Sequence, residues 1–178
     1  EGIDHKIETE VINGDELLDK GLGMIHAVGR AATQFPRLVN IIYRGGEPED
    51  SWFGFVGKGI TYDTGGLSLK PTDSMVNMKT DMSGAAIVTG LASFCVSMNI
   101  DKNIIFSIPI AENAIGPNSF RPGDVLESNS GLTVEVTDTD AEGRLVLADA
   151  LSYTEEKFKP KFIIDLATLT GAIIMALG

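Results

Sequence analysis

The segment at residues 104–110 reads IIFSIPI, an apolar run that does not alternate with charged positions. Such a strand belongs inside a sheet covered on both faces, because a strand with one wet face alternates apolar and polar side chains. Residues 162–166 form a second buried strand of this kind. Residues 38–43 and 53–56 are β-rich runs separated by Gly45, Gly46 and Pro48, and so read as two strands with a loop between them. Alternation through Ile7, Thr9 and Val11 predicts a short strand near the start. Residues 125–127 and 132–136 flank Asn129, Ser130 and Gly131, a hairpin signal. Between these runs lie helical patterns. One is capped by Asp15 and carries Leu17, Leu18, Leu22, Met24 and Ile25. A second spans residues 83–98 with Ser83 as its N-cap, and a third spans 141–158 with Leu145, Leu147, Ala148 and Leu151 on its apolar side. A last helix starts after Thr168. Strands alternating with helices predict an α/β fold: a mixed, largely parallel β-sheet covered by helices on both faces.

The length of 178 residues suits one compact domain or a large piece of one. With 43% hydrophobic and 22% charged residues, the composition is that of a globular chain rather than a disordered one. Acids outnumber bases 25 to 14, giving a net charge of −11. That balance speaks against nucleic acid or an anionic membrane as the main partner, since both reward clustered Lys and Arg. One cysteine, Cys95, excludes an internal disulfide framework and a Cys-based zinc finger. No apolar run reaches the ~18 residues of a membrane span, and the start has no basic-then-apolar signal pattern. The chain opens on Glu1 without Met and ends on the apolar run 172–177 without basic residues or turn signals, so it is expected to be part of a longer protein.

Two segments break ordinary local rules. In the first, a loop with four glycines at residues 57–66 carries Lys58 and Asp63 past the end of a strand, and leads on to Lys70, Lys79 and Asp81. Ligands commonly sit in the crevice beyond strand carboxyl ends. A phosphate loop requires Lys-Ser/Thr directly after its second glycine; that is absent here, and an acid in the loop's middle would repel phosphate. The second segment, Thr137-Asp138-Thr139-Asp140-Ala141-Glu142-Gly143-Arg144, lies at a strand–helix junction. Carboxylates packed this closely repel one another unless protonated or bridged by a cation. Divalent metals accept such oxygen ligands, and a shared carboxylate can hold two of them ~3.5–4 Å apart. Alternatively, Asp138 and Asp140 cap a helix, whose N-terminus favours anions. Two such segments in one short chain, each with a cation beside its acids, favour the metal reading. His5 and His26 have no partner at metal-ligand spacing, there is no H-E-x-x-H, and Cys95 lies in an apolar helix as a structural thiol.

With these residues in view, the chain resembles the leucyl (cytosol) aminopeptidases of the M17 type. Three motifs carry the resemblance, in order: Val56-Gly57-Lys58-Gly59-Ile60-Thr61-Tyr62-Asp63-Thr64-Gly65-Gly66, then Met78-Lys79-Thr80-Asp81-Met82-Ser83-Gly84-Ala85-Ala86, then Thr139-Asp140-Ala141-Glu142-Gly143-Arg144-Leu145. The resemblance implies a dimetal aminopeptidase that removes Leu and other N-terminal residues from peptides with a metal-bridged water. It implies that Lys58, Asp63, Asp81 and Glu142 hold the tightly bound metal, and that Asp63, Asp140 and Glu142 hold the exchangeable one. Lys70 would stabilise the gem-diolate, and Arg144 would hold a bicarbonate acting as general base. Met78, Thr168 and Gly171 would line the pocket for the N-terminal side chain, and the Leu169 carbonyl would lie near the substrate amine. Zn²⁺ is the expected metal, with Mn²⁺ or Mg²⁺ at the exchangeable site.

The physics of these roles is coherent. Lys58 can ligate only as the neutral amine, so metal binding must displace its proton, whereas Lys70 must stay charged to stabilise an oxyanion. The resemblance further implies a cytoplasmic homo-hexamer acting on peptides with a free N-terminus. An N-terminal domain would precede residues 1–178, and the remainder of the catalytic domain would follow. One position departs from the family pattern, which has Asn where this chain has Asp138. Two other readings stand beside this one: a metal-binding but inactive fragment, and a regulatory or DNA-binding relative.

Overall fold

A computed structural model describes residues 6–177 of the chain; His5 lies outside them. The strands are β1 (Ile7–Asn13), β2 (Arg37–Arg44), β3 (Trp52–Gly57), β4 (Gly59–Asp63), β5 (Asn103–Asn113), β6 (Val125–Glu127), β7 (Thr133–Glu135) and β8 (Ile163–Leu166). The α-helices are α1 (Glu16–Asp19), α2 (Gly23–Gly29), α3 (Thr72–Met75), α4 (Ser83–Ser97), α5 (Glu142–Phe158) and α6 (Ala172–Leu177). Six strands form one sheet, in the order β1-β2-β5-β3-β8 with β4 also on β5, and β6 pairs with β7 in a separate hairpin. The β1/β2 and β2/β5 pairings are antiparallel; β3/β5, β3/β8 and β4/β5 are parallel. The sheet is mixed and mostly parallel, as expected.

The apolar run at 104–110 is the middle of β5, and it explains how two strands share one edge. β3 pairs with Asn103–Ser107, and β4 takes over at Ile110. Pro109 sits in the gap between them, where its missing N–H disrupts neither ladder. One face of the sheet packs Leu38, Val56, Ile60 and Ala111 against Met24, Ile25 and Val28 of α2 and Leu145, Val146 and Ala150 of α5. The other packs Tyr43, Ile104, Phe106 and Ile108 against Ala85, Val88, Ala92 and Cys95 of α4. Cys95 is therefore a buried core thiol, as its apolar setting predicts. Helix α4 lies very close to the sheet at its N-terminal end. A Cβ on Gly84 would stand 2.0 Å from the Leu166 carbonyl oxygen, and one on Gly57 would stand 2.6 Å from the Gly84 carbonyl oxygen. Only glycine allows these backbones to meet.

Several expectations are corrected in detail. The single helix expected after Asp15 is two short ones, interrupted at Gly21, whose φ of +70° no helix accommodates. Asp15 stands at the N-cap of α1 but makes no capping bond; its carboxylate lies 3.3 Å from His26 Nε2 instead. Ser83 is the first residue inside α4 rather than its cap, and its hydroxyl donates to the Thr80 carbonyl. In β1 the buried apolar residue is Ile12, while Ile7 and Val11 face outward. Residues 59–63 of the glycine loop are a strand, β4. The side chains of Ile173, Ile174, Met175 and Leu177 in α6 are exposed.

Asp149 shows how the α2–α5 side is held. It is fully buried in α5, and Oδ2 accepts from the backbone N–H groups of Met24 (2.8 Å) and Ile25 (3.1 Å), while Oδ1 accepts from Asn129 N–H (2.8 Å). The residue at the N-cap of α2 is Leu22, which has no acceptor, so a carboxylate from another helix satisfies those free donors. Burial raises its pKa from 3.8 to about 6, although the three N–H donors lower it. Between about pH 4 and 6 the unfolded chain then releases a proton that the folded chain retains. Stability should decline with rising pH across that window, by up to about 3 kcal/mol from this group. Urea midpoints measured from pH 4 to 7 should show a flatter decline for Asp149→Asn; equal slopes in variant and parent would contradict the assignment.

Candidate metal centre

The site forms where the chain passes from β3 to β4. Lys58 is the one residue between the two strands, and its backbone is clamped from both sides. Its N–H donates to the Leu166 carbonyl of β8 (3.0 Å), and its carbonyl accepts from Ala85 N–H of α4 (2.9 Å). The side chain is thereby directed inward and is only 2% exposed. Its Nζ lies 2.8 Å from each carboxylate oxygen of Asp81 and 2.9 Å from Glu142 Oε1, and donates to the Thr168 carbonyl at 3.1 Å. Gly143 makes room for it, because a Cβ there would stand 2.7 Å from Lys58 Cε.

The acids arrive on three loops. Asp63 ends β4, Asp81 follows a 3-10 turn at Met78–Thr80, and Asp140 lies in the 3-10 turn Thr139–Ala141 that leads into Glu142, the first residue of α5. Thr139, fully buried, joins two of these loops: its hydroxyl donates to the Gly65 carbonyl (2.7 Å) and accepts from Ser68 N–H (2.8 Å). Gly65 and Gly66 have φ of +86° and +67°, which lets the loop fold back so that Lys70 N–H reaches the Thr64 carbonyl. Lys70 Nζ then lies 3.0 Å from Asp63 Oδ2 and is ion-paired with Asp140 Oδ1. One carboxylate oxygen from each of Asp63, Asp140 and Glu142 lies within 4.8 Å of the others.

The sequence-expected ligands Lys58, Asp63, Asp81, Asp140 and Glu142 are thus brought together with Lys70 in one cluster. Asp138 stands apart from it. It is exposed, and its carboxylate accepts the Asp140 backbone N–H (2.9 Å), so this acid does cap the turn.

Four carboxylates against two ammonium groups leave an excess of negative charge in a buried place. Burial raises the Glu142 carboxyl to about 7 in spite of the Lys58 ammonium, and it raises Asp81 likewise. Burial lowers the affinity of both lysines for their protons, but the facing carboxylates outweigh it and hold both pKa values above the ordinary range. Asp81 Oδ2 and Asp140 Oδ1 each meet an ammonium without an aligned hydrogen bond. Hard oxygen donors, one amine and uncompensated negative charge are what a pair of dications requires, so the residues present fit such a group.

A family model described as the cytosol aminopeptidase family, catalytic domain, matches residues 2–178. The chain belongs to the cytosol aminopeptidase family. A probable cytosol aminopeptidase of Wolbachia pipientis is 49% identical over 172 residues, which cover 97% of this chain and 34% of the relative. The leucyl aminopeptidase of Trypanosoma brucei, solved in complex with actinonin, superposes with a TM-score of 0.92 at 46% identity over 97% of this chain and 34% of that one. The bottromycin maturation enzyme BotP, solved in complex with Mn, superposes with a TM-score of 0.87 at 39% identity over 97% and 38%. The chain therefore spans about a third of the length of the curated family members it matches.

The remaining residues named from the family resemblance lie around the cluster at differing distances. Thr168 touches it directly, donating its hydroxyl to Asp81 Oδ1 at 2.8 Å. Leu169 is near, with its Cδ1 3.0 Å from where a Gly143 Cβ would stand. Met78 is half-buried at the start of the 3-10 turn, and Gly171 opens onto free space. Arg144 is exposed on the first turn of α5 and makes no ion pair among the described residues. Sequence reasoning missed Asn113 and Thr139. Asn113 is fully buried at the end of β5, between the Asp63 and Glu142 loops. A lone amide after an apolar strand carries no motif, so nothing in the sequence marked it.

Proposed function

We propose that this chain is the metal-bearing part of a dimetal aminopeptidase that hydrolyses N-terminal amino acids, Leu among them, from peptides with a free N-terminus. The observation that carries the reading is the cluster of four carboxylates and two lysines: Lys58, Asp63, Asp81 and Glu142 are buried, and all six residues are drawn into direct ion pairs. Lys58, Asp63, Asp81 and Glu142 would hold one dication, and Asp63, Asp140 and Glu142 the other. Zn²⁺ is the proposed metal, with Mn²⁺ or Mg²⁺ at the exchangeable site; the Mn complex of BotP supports Mn²⁺ as an occupant. Bound dications supply Lewis-acid polarisation and bring water's pKa toward neutrality.

Lys58 must give up its proton to serve as a ligand, and the carboxylates that stabilise its charge make the dication compete for that place. Lys70 keeps its charge, so its ammonium can meet negative charge developing on a substrate carbonyl oxygen. Arg144, exposed beside Glu142, would hold a bicarbonate that takes up a proton as general base. Met78, Thr168 and Gly171 would line the side-chain pocket, with the Leu169 carbonyl near the substrate amine. We place the longer protein in the cytoplasm as a homo-hexamer; among the described residues no helix is long and apolar enough to cross a membrane.

A second reading, a metal-binding but inactive piece, draws on the exposure of Thr168, Leu169 and Gly171 and on the one-third coverage of the relatives. Metal content together with Leu release from leucine amide tests both, using the 178-residue chain and the longer protein that contains it. Two dications and turnover are expected for the longer protein. Turnover by the 178-residue chain as well would exclude the inactive-piece reading. No Leu release by the longer protein with Zn²⁺ or Mn²⁺ would sink the aminopeptidase proposal.

A further inference from the structure

We infer that Asn113 is a positioning residue for the metal centre: its carboxamide holds Asp63 and Glu142 in register so that Asp63 offers a single oxygen, Oδ2, to the cations. The inference rests on the dimetal reading above. Asn113 is the last residue of β5, fully buried, and its Nδ2 faces three acceptors. These are Asp63 Oδ1 at 2.9 Å, the Thr139 carbonyl at 3.0 Å and Glu142 Oε2 at 3.4 Å. With only acceptors around that end of the side chain, the amide nitrogen has to point there.

Two features set this amide apart from a structural core asparagine. First, Asp63 Oδ1 also accepts the Gly65 N–H at 2.9 Å, so that oxygen carries two donors. The remaining oxygen, Oδ2, is the one that faces Lys70 Nζ and is left to a cation. Second, the other end of the amide is unsatisfied: Asn113 Oδ1 has no hydrogen-bond partner among the described residues. It abuts Gly66, where a Cβ would stand 2.9 Å away. A buried acceptor without a partner is disfavoured, so a residue kept for packing alone would gain by losing it. What the side chain does accomplish is to join the end of β4 to the turn at Thr139–Glu142 through one –NH₂ group.

An amide suits this place for an electrostatic reason. A lysine or arginine would also hold the two acids, but its charge would cancel what attracts the dications. A neutral donor fixes the carboxylates and leaves their charge intact. An aspartate of the same shape would do the opposite, adding a third acid that repels both.

The test is metal binding to the 178-residue chain, followed by calorimetric titration of Mn²⁺ and of Zn²⁺, for the parent, Asn113→Asp and Asn113→Ala. Partners behind metal ligands usually contribute 10- to 100-fold in affinity, so both variants are expected to bind at least one dication roughly 10- to 100-fold more weakly. Far- and near-UV circular dichroism identifies any variant that fails to fold. If one does, Asn113→Ser, which keeps a small donor, decides the question and is expected to bind better than Asn113→Ala. Parent-like affinity in every folded variant would overturn the role of Asn113 while leaving the metal centre standing. No metal uptake by the parent chain would overturn both.

Discussion

Replacing Asp63 with alanine is expected to leave the chain unable to hold two dications at once. Asp63 is 3% exposed and ends a strand whose pairing to β5 fixes its backbone, so its carboxylate has little freedom to be replaced by a neighbour. Its Oδ2 lies 3.0 Å from Lys70 Nζ, and one of its carboxylate oxygens lies within 4.8 Å of oxygens of Asp140 and Glu142, so in the proposed ligand sets it would be shared by both ions. Removing it leaves the second ion with only Asp140 and Glu142 from this chain. Metal analysis by mass spectrometry after dialysis against Zn²⁺ or Mn²⁺ should fall from two ions per chain to one or fewer. Because alanine also strips acceptors from Gly65 N–H and Asn113, Asp63→Asn is the companion variant. It keeps an acceptor for those two donors but turns an amide toward the ions. Two ions retained in both variants would mean that Asp63 is not shared and that the ligand sets have been drawn wrongly.

The layered fold was legible because burial on both faces imprints apolar runs, and β5 read correctly for that reason; the same signal misled at residues 162–166, where β8 is an edge strand with Phe162 and Ile164 exposed. Strand β4 was not legible. Gly59 and Gly65 look like loop residues, and the pairing that makes Gly59–Asp63 a strand is supplied by the far end of β5, about fifty positions away. The break between α1 and α2 was hidden for a similar reason. The apolar spacing continues across Gly21, and what separates the helices is its left-handed backbone together with the distant Asp149 capping α2.

At the site, Lys58 and Asp63 were legible as charged residues carried past a strand end, and Asp140 and Glu142 as acids at a strand–helix junction; Asp81 joined them only through the family resemblance. Asn113 and Thr139 were not legible, because their roles are set by partners 50 and 74 positions away. The contacts of Lys70 with Asp63 and Asp140 also escaped sequence reading, since a four-carbon side chain on a folded-back loop can reach in many directions.

That contact sharpens the second large expectation, for Lys70→Ala. If Lys70 acts on the substrate, the variant of the longer protein should lose roughly 10²–10³ in kcat, the usual consequence of removing one donor to a developing oxyanion. Its effect on the metals should have the opposite sign. The Lys70 ammonium is ion-paired with Asp63 Oδ2 and Asp140 Oδ1, on two of the residues proposed to hold the exchangeable ion. A dication arriving there competes with it, so truncating the lysine removes a competitor and should leave Mn²⁺ affinity unchanged or tighter. Lys58→Ala should behave differently, because Lys58 is proposed as a ligand; there affinity at the other ion should fall. Titrating both variants with Mn²⁺ and Zn²⁺ and measuring turnover on leucine amide separates the two lysines. Weaker metal binding by Lys70→Ala would show that this lysine belongs to the ligand set, and that some other group must stabilise the charge on the substrate oxygen.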